Sequence, residues 1–299
     1  MSALLSEFVN HYASTCSNSK TRRLIDASWE GIDRSNEVSA LKSYIFAKNQ
    51  GIDFLNHNVT PLVNNSRFHL KFAGIVCHKK PTVQRSAASR KTHAGDTSGC
   101  ELGDLLTLFV LLDANDKLHH LAGSLFQAKV HQKLDSKSQR NLYDHDEDYI
   151  LPGNLGGHTR VMPTYAEGRA RALRYLILNP DRPNSFVSCR HTPWDADYQP
   201  RWSTYLDALL AGSEGLTART YPMVGNTSWS TLVDDLLSVA AKVPITKPAR
   251  GTDVAVQIAT GQFNDFSERT IWSAESQEPG ISVFMAIAHQ HGDGRNIAA

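Results

Sequence analysis

Between Gly99 and His131 two apolar runs flank a polar turn, and each run carries polar side chains at its outer end. Glu101 and Asp104 precede the first run, Leu105 to Leu112, while Gln127 and Lys129 lie near the end of the second, Leu121 to Val130. Residues two apart on a strand share a face, so Gln127 and Lys129 point the same way. If the runs pair as a hairpin, the acids, the amide and the lysine meet at one end of a sheet. Asp104 offers hard oxygen to a divalent ion, Gln127 a neutral amide oxygen, and the Ala128 carbonyl a third ligand. An ion held this way keeps waters, acidifies one and neutralises a phosphate oxygen. Lys129 beside it orients the nucleophile and counters charge that develops in the transition state. Phosphodiester hydrolysis is the chemistry such a set can do. Lys129 buried alone would be costly, and Glu101 is the expected partner across the ladder.

Those residues need strands and helices to hold them. Residues 1 to about 65 carry apolar residues at helical spacing. Phe68 to His78 alternates as a first strand. His78 to His93, "HKKPTVQRSAASRKTH", holds Lys79, Lys80, Arg85, Arg90 and Lys91 with no acid, and reads as a mobile loop suited to phosphates. The continuous run Leu105 to Leu112 implies a strand covered on both faces, and "DANDK" a turn. Asp135 or Ser136 starts a helix as N-cap, and "RALRYLILNP" is another buried strand ended by Asn179-Pro180. Further on, "WSTYLDALLAG" and "SWSTLVDDLLSVAAKV" read as amphipathic helices, "DVAVQIAT" and "GISVFMAIAHQ" as strands.

An acid, a strand, then [Asp/Glu/Gln]-x-Lys on the next strand resembles the signature of the PD-(D/E)XK nuclease superfamily. The resemblance spans about residues 68 to 180. It implies an α/β fold with a mixed central sheet flanked by helices, a restriction-endonuclease-like αβββαβ core. It sets the superfamily's metal-binding aspartate on Asp104, its variable acid on Gln127 and its lysine on Lys129. Gln139 and Tyr143 are similar to the QxxxY element of RecB-like members and are expected at the nucleic acid. Some members add a glutamate from the first helix, for which Glu37 is preferred over Glu30; Glu101 is a further metal ligand or the partner of Lys129. Two residues depart from the pattern: Gly103 stands where a proline is usual, and Gln127 removes one negative charge from the metal site. The expected organisation is a helical region at 1–66, a nuclease-like core at 67–180 and an α/β elaboration at 181–299 packed on the core, as one domain. The implied function is a nuclease dependent on Mg2+ or Mn2+ and acting on DNA, with a defence or restriction role alongside other defence subunits, as a possible homodimer.

A chain of 299 residues with 41% hydrophobic content can bury a substantial core, so disorder is not expected. The net charge of +1 excludes neither nucleic acid nor a neutral ligand. No run approaches the roughly 20 apolar residues of a bilayer span, and the N-terminus lacks a leader pattern, so a cytoplasmic protein away from membranes is expected. Cys16, Cys77, Cys100 and Cys189 form no CxxC pair and read as buried thiols rather than zinc ligands. Two other function classes compete with the nuclease. One is an inactive nuclease-like scaffold that binds nucleic acid or assembles with partners. The other is a small-molecule enzyme with a pocket near "HTPWDADYQPRW", which gathers His191, Trp194, Asp195, Asp197, Tyr198 and Trp202.

Overall fold

The computed structural model describes residues 2–16, 18–79, 81–94, 99–153, 156–179, 186–222, 226–240, 256–260, 273–279 and 281–291. Five helices come first: α1 (Ala3–Thr15), α2 (Ser19–Ala27), α3 (Glu37–Phe46), α4 (Gly51–Asn58) and α5 (Thr60–Val63). Side-chain caps start three of them, with Ser2, Asn18 and Asn36 accepting from backbone N–H groups of the first turn. In α1 the apolar side chains Leu4, Leu5, Phe8 and Tyr12 recur at helical spacing and are buried.

The chain then runs through β1 (Phe68–Lys79), β2 (Thr82–Arg85), α6 (Ala87–Thr92), β3 (Cys100–Glu101), β4 (Leu105–Leu112) and β5 (Leu118–Lys129). It continues as α7 (Lys137–Asp144), β6 (Asp148–Ile150), β7 (Thr159–Val161), α8 (Arg169–Ala172), β8 (Leu173–Ile177) and β9 (Ser188–His191). Last come α9 (Trp202–Leu210), β10 (Leu216–Thr220), α10 (Ser228–Ala240), β11 (Ser273–Pro279) and β12 (Ser282–Gln290). The central sheet is mixed, in the order β11-β1-β12-β4-β5-β8-β9 with β10 also paired to β5, and it is flanked by helices. A smaller sheet has the order β3-β2-β6-β7.

The sheet separates two cores. Helices α1 to α5 and α9 pack on one face around Phe8, Tyr44, Phe126, Trp202 and Phe284. Trp202 is wholly buried, meets Trp29 and Phe284 edge-on and donates to Tyr44 Oη at 3.0 Å. Cutting such a ring back to alanine costs about 3–5 kcal/mol. The other face is covered by α7, α10 and the small sheet, around Leu106, Leu125, Tyr143, Tyr175 and Trp229.

Three expectations change. The basic segment is not a loop: Thr82–Arg85 forms β2, Ser86 caps α6 by accepting from Ser89 N at 3.1 Å, and Lys80 lies outside the described residues, as does the side chain of Lys79. Arg85 is only 3% exposed and binds Asp146 with both its Nε and Nη2, at 2.8 Å for the latter, so it is not free for phosphates. The alternation of "DVAVQIAT" does not make a strand across its described part. Val256–Thr260 is helical, with the adjacent Ile258 and Ala259 both buried, while Asp253 to Ala255 lie outside the described residues. Strand β12 lies inside the sheet, antiparallel to β1 and parallel to β4. Among the described residues no helix is long and apolar enough to cross a membrane.

Candidate functional site

The hairpin β4–β5 sets the geometry. Leu105 pairs with Phe126, and Asp104 N donates to Phe126 O at 2.8 Å, so the next step of the register puts Asp104 opposite Gln127. On β4 Leu106 and Leu108 face the core shared with α7, as Leu125 does on β5. By the two-residue period Asp104, Gln127 and Lys129 face that side too.

Asp104 is 4% exposed, and its Oδ2 accepts from Ala128 N at 2.7 Å, so the carboxylate continues the ladder beyond the end of β4. Gln127 is fully buried. Its Nε2 donates to the Glu101 carbonyl at 3.4 Å, which turns Oε1 away from that carbonyl. Oε1 is buried and has no hydrogen-bond partner among the described residues. Leaving such an acceptor bare costs about 1–3 kcal/mol.

Lys129 Nζ donates to Gln139 Oε1 at 2.9 Å, and Gln139 Nε2 donates to Glu101 Oε2 at 3.4 Å. Glu101 is therefore linked to Lys129 through the Gln139 amide. Ser136 caps α7 by accepting from Gln139 N at 3.3 Å, which fixes the first turn that carries this amide. Tyr143, one turn on, is fully buried and donates to Leu102 O at 2.9 Å, pinning the segment that leads into Asp104. Burial, then the Asp104 charge, raises its phenol well above the usual range, so it stays a donor. Space is tight at Gly103. A Cβ there would come within 2.8 Å of Leu125 Cδ1 and 2.9 Å of Tyr143 Oη.

Glu37, the first residue of α3, reaches the same corner, its Oε1 accepting from Val130 N at 3.3 Å. Glu30 is exposed beyond α2 and has no such link to the hairpin. Arg90 and Lys91 sit in the last turn of α6, the first partly buried and the second exposed. That end of α6 meets α7, where Asn141 Nδ2 donates to His93 O at 3.4 Å and Ala94 O at 3.2 Å.

As a cation site the donor set is all oxygen and poor in charge: Asp104, Gln127 Oε1 and, nearby, the Glu101 carboxylate. The bare, buried Oε1 is the kind of neutral oxygen that suits a hard divalent ion. Among the described residues no group of three or more His, Cys, Asp or Glu side chains forms a metal cluster. The four cysteines are buried free thiols, and burial raises the thiol pKa of each. The segment after β9 is a pinned loop, with Arg140 bound to Asp195 and Arg190 stacked 4.3 Å from the Trp194 ring. Searches of protein-family models, curated proteins and solved structures find no match to this chain.

Sequence reasoning missed Asp144, the last residue of α7, which is 1% exposed. It had a readable signal. An acid in a helix's final turn opposes the macrodipole, and something must offset that.

Proposed function

We propose that this chain is a metal-dependent nuclease that hydrolyses phosphodiester bonds in DNA with Mg2+ or Mn2+. The observation that carries the reading is Gln127 Oε1, buried without a partner among the described residues, at the strand end where Asp104 and Lys129 share its face. The order of elements supports it. A helix, β1, the β4–β5 hairpin, α7 and β8 come in the order that the resemblance implies, with β2, α6 and β3 before the hairpin, β6, β7 and α8 before β8, and β12 between β1 and β4 in the sheet. A bound ion would supply an acidified water and neutralise a phosphate oxygen.

In this reading Asp104 and Gln127 hold the ion, with Glu101 as the third oxygen ligand and Glu37 at the rim. Gln139 holds the Lys129 ammonium at a fixed point, so it meets developing charge without reorganising. Arg90 and Lys91 lie on a helix that touches α7, and they contact backbone phosphates, which gives affinity without sequence choice. A restriction or defence role belongs to the same proposal.

A second reading, an inactive nucleic-acid-binding scaffold, is favoured by one observation: Lys129 and Glu101 are already joined through Gln139. Incubating purified protein with supercoiled and linear DNA, in Mg2+, in Mn2+ and in chelator, separates the two. Products with metal, and none with chelator or after Asp104→Ala, support the nuclease. A parent that never cuts under any divalent ion leaves the scaffold.

A further inference from the structure

The Asp144 carboxylate is buried at the C-terminal end of the helix that carries Gln139. Three donors reach it: Tyr175 Oη on β8 at 2.8 Å, Trp194 N at 2.9 Å and Arg140 Nε at 3.3 Å. Its own carbonyl accepts from Tyr165 Oη at 3.0 Å. Tyr175 lies next to Gln127 in the β5–β8 register, and its ring sits 5.5 Å from that of Tyr143. Trp194 meets the Tyr175 ring edge-on at 4.9 Å. The eight-residue α7 buries Ser138, Leu142, Tyr143 and Asp144 and exposes a polar face, so apolar packing alone holds it weakly. Charge at its last turn opposes the helix, and the Arg140–Asp144 order is the weaker one for a pair four apart. What keeps Asp144 there is tertiary.

We propose that Asp144 is a positioning residue: Tyr175 and the Trp194 segment hold α7 through it, in the seat from which Gln139 presents its amide oxygen to Lys129. The loop after β9 thereby acts on the candidate site without touching it. The hold on Lys129 stands on geometry alone, and only its kinetic consequence rests on the nuclease reading.

Acylation of lysine amines, read residue by residue by mass spectrometry, tests the hold. In Asp144→Asn the rate at Lys129, relative to the exposed Lys133, rises about threefold or more as α7 opens locally. Tyr175→Phe, which keeps the ring and its packing, gives a smaller rise and serves if Asp144→Asn does not fold. In a parent that cuts DNA, Asp144→Asn lowers kcat about 10- to 100-fold, as a small misplacement does, with KM nearly constant. A role in stability alone would lower the melting temperature and leave Lys129 labelling unchanged in the folded variants, which overturns the proposal. Raised labelling with an unchanged kcat overturns it as well. If the parent never cuts, labelling decides: a rise keeps the positioning role while the nuclease reading falls.

Discussion

Two buried polar clusters flank α7, and they differ in whether the fold completes them. Around Asp144 donors from β8, the Trp194 segment and α7 itself converge on one carboxylate, with Arg140 as countercharge. Around Gln127 the amide nitrogen is used while the equally buried oxygen has no partner among the described residues. The closed cluster accounts for itself as structure. The open one leaves an acceptor bare at a cost of about 1–3 kcal/mol. In the nuclease reading proposed above, a bound ion would supply the missing partner.

Substitutions sharpen that contrast, and the largest effect comes from exchanging the two acids. Asp104→Asn keeps an oxygen for Ala128 N, so the fold should hold while metal-dependent DNA cleavage is lost. Asp144→Ala leaves the Tyr175 hydroxyl and the Trp194 N–H without their acceptor, while Arg140 keeps Asp195, and should cost about 2–4 kcal/mol of stability. Urea melts run beside plasmid cleavage read both. Equal destabilisation by the two would erase the distinction.

His120, 5% exposed near the far end of the same hairpin, extends the comparison to a buried group that stays neutral. Burial lowers its pKa to about 4, and His69 and His191 shift the same way. The unfolded imidazole takes its proton near 6.5, the folded one only near 4. Between those values the unfolded chain binds more protons, so stability falls as pH drops. From pH 7 to 5 the His120 share is about 2 kcal/mol. His120→Gln should remove that share from the difference between urea midpoints at the two pH values; an unchanged difference would place the sensitivity elsewhere.

The smallest effect is expected on α6, whose end meets α7. Arg90→Ala with Lys91→Ala should weaken DNA binding and reduce its log–log salt slope by about 1 to 2, with little change in the cleavage rate of bound DNA. An intact slope would show α6 to be only a solvated helix.

Local pattern made much of this legible. The β4–β5 hairpin follows from two apolar runs around Asp113 to Lys117, and Asp113 Oδ1 does accept from Asn115 N and Lys117 N, both within 2.9 Å. The Ser136 cap and strand β12 were readable for similar reasons. Non-local pairing was not: nothing in "GISVFMAIAHQ" says that it enters between β1 and β4. Nor does Arg85 announce a partner 61 residues away in Asp146, so its charge read as solvent-facing. The apolar run near Ile258 is too short for periodicity to tell helix from strand. At the candidate site the residue types were legible, and the Gln139 bridge between Lys129 and Glu101 was not, because it depends on how α7 lies over β5.

Titration of the chain with Mn2+ in a calorimeter, beside Gln127→Glu and Asp104→Asn, tests the open cluster most directly. The parent should bind one ion, Gln127→Glu should bind it about tenfold or more tightly through the added charge, and Asp104→Asn should lose it. No binding by either the parent or Gln127→Glu, or binding that Asp104→Asn leaves intact, would contradict the account.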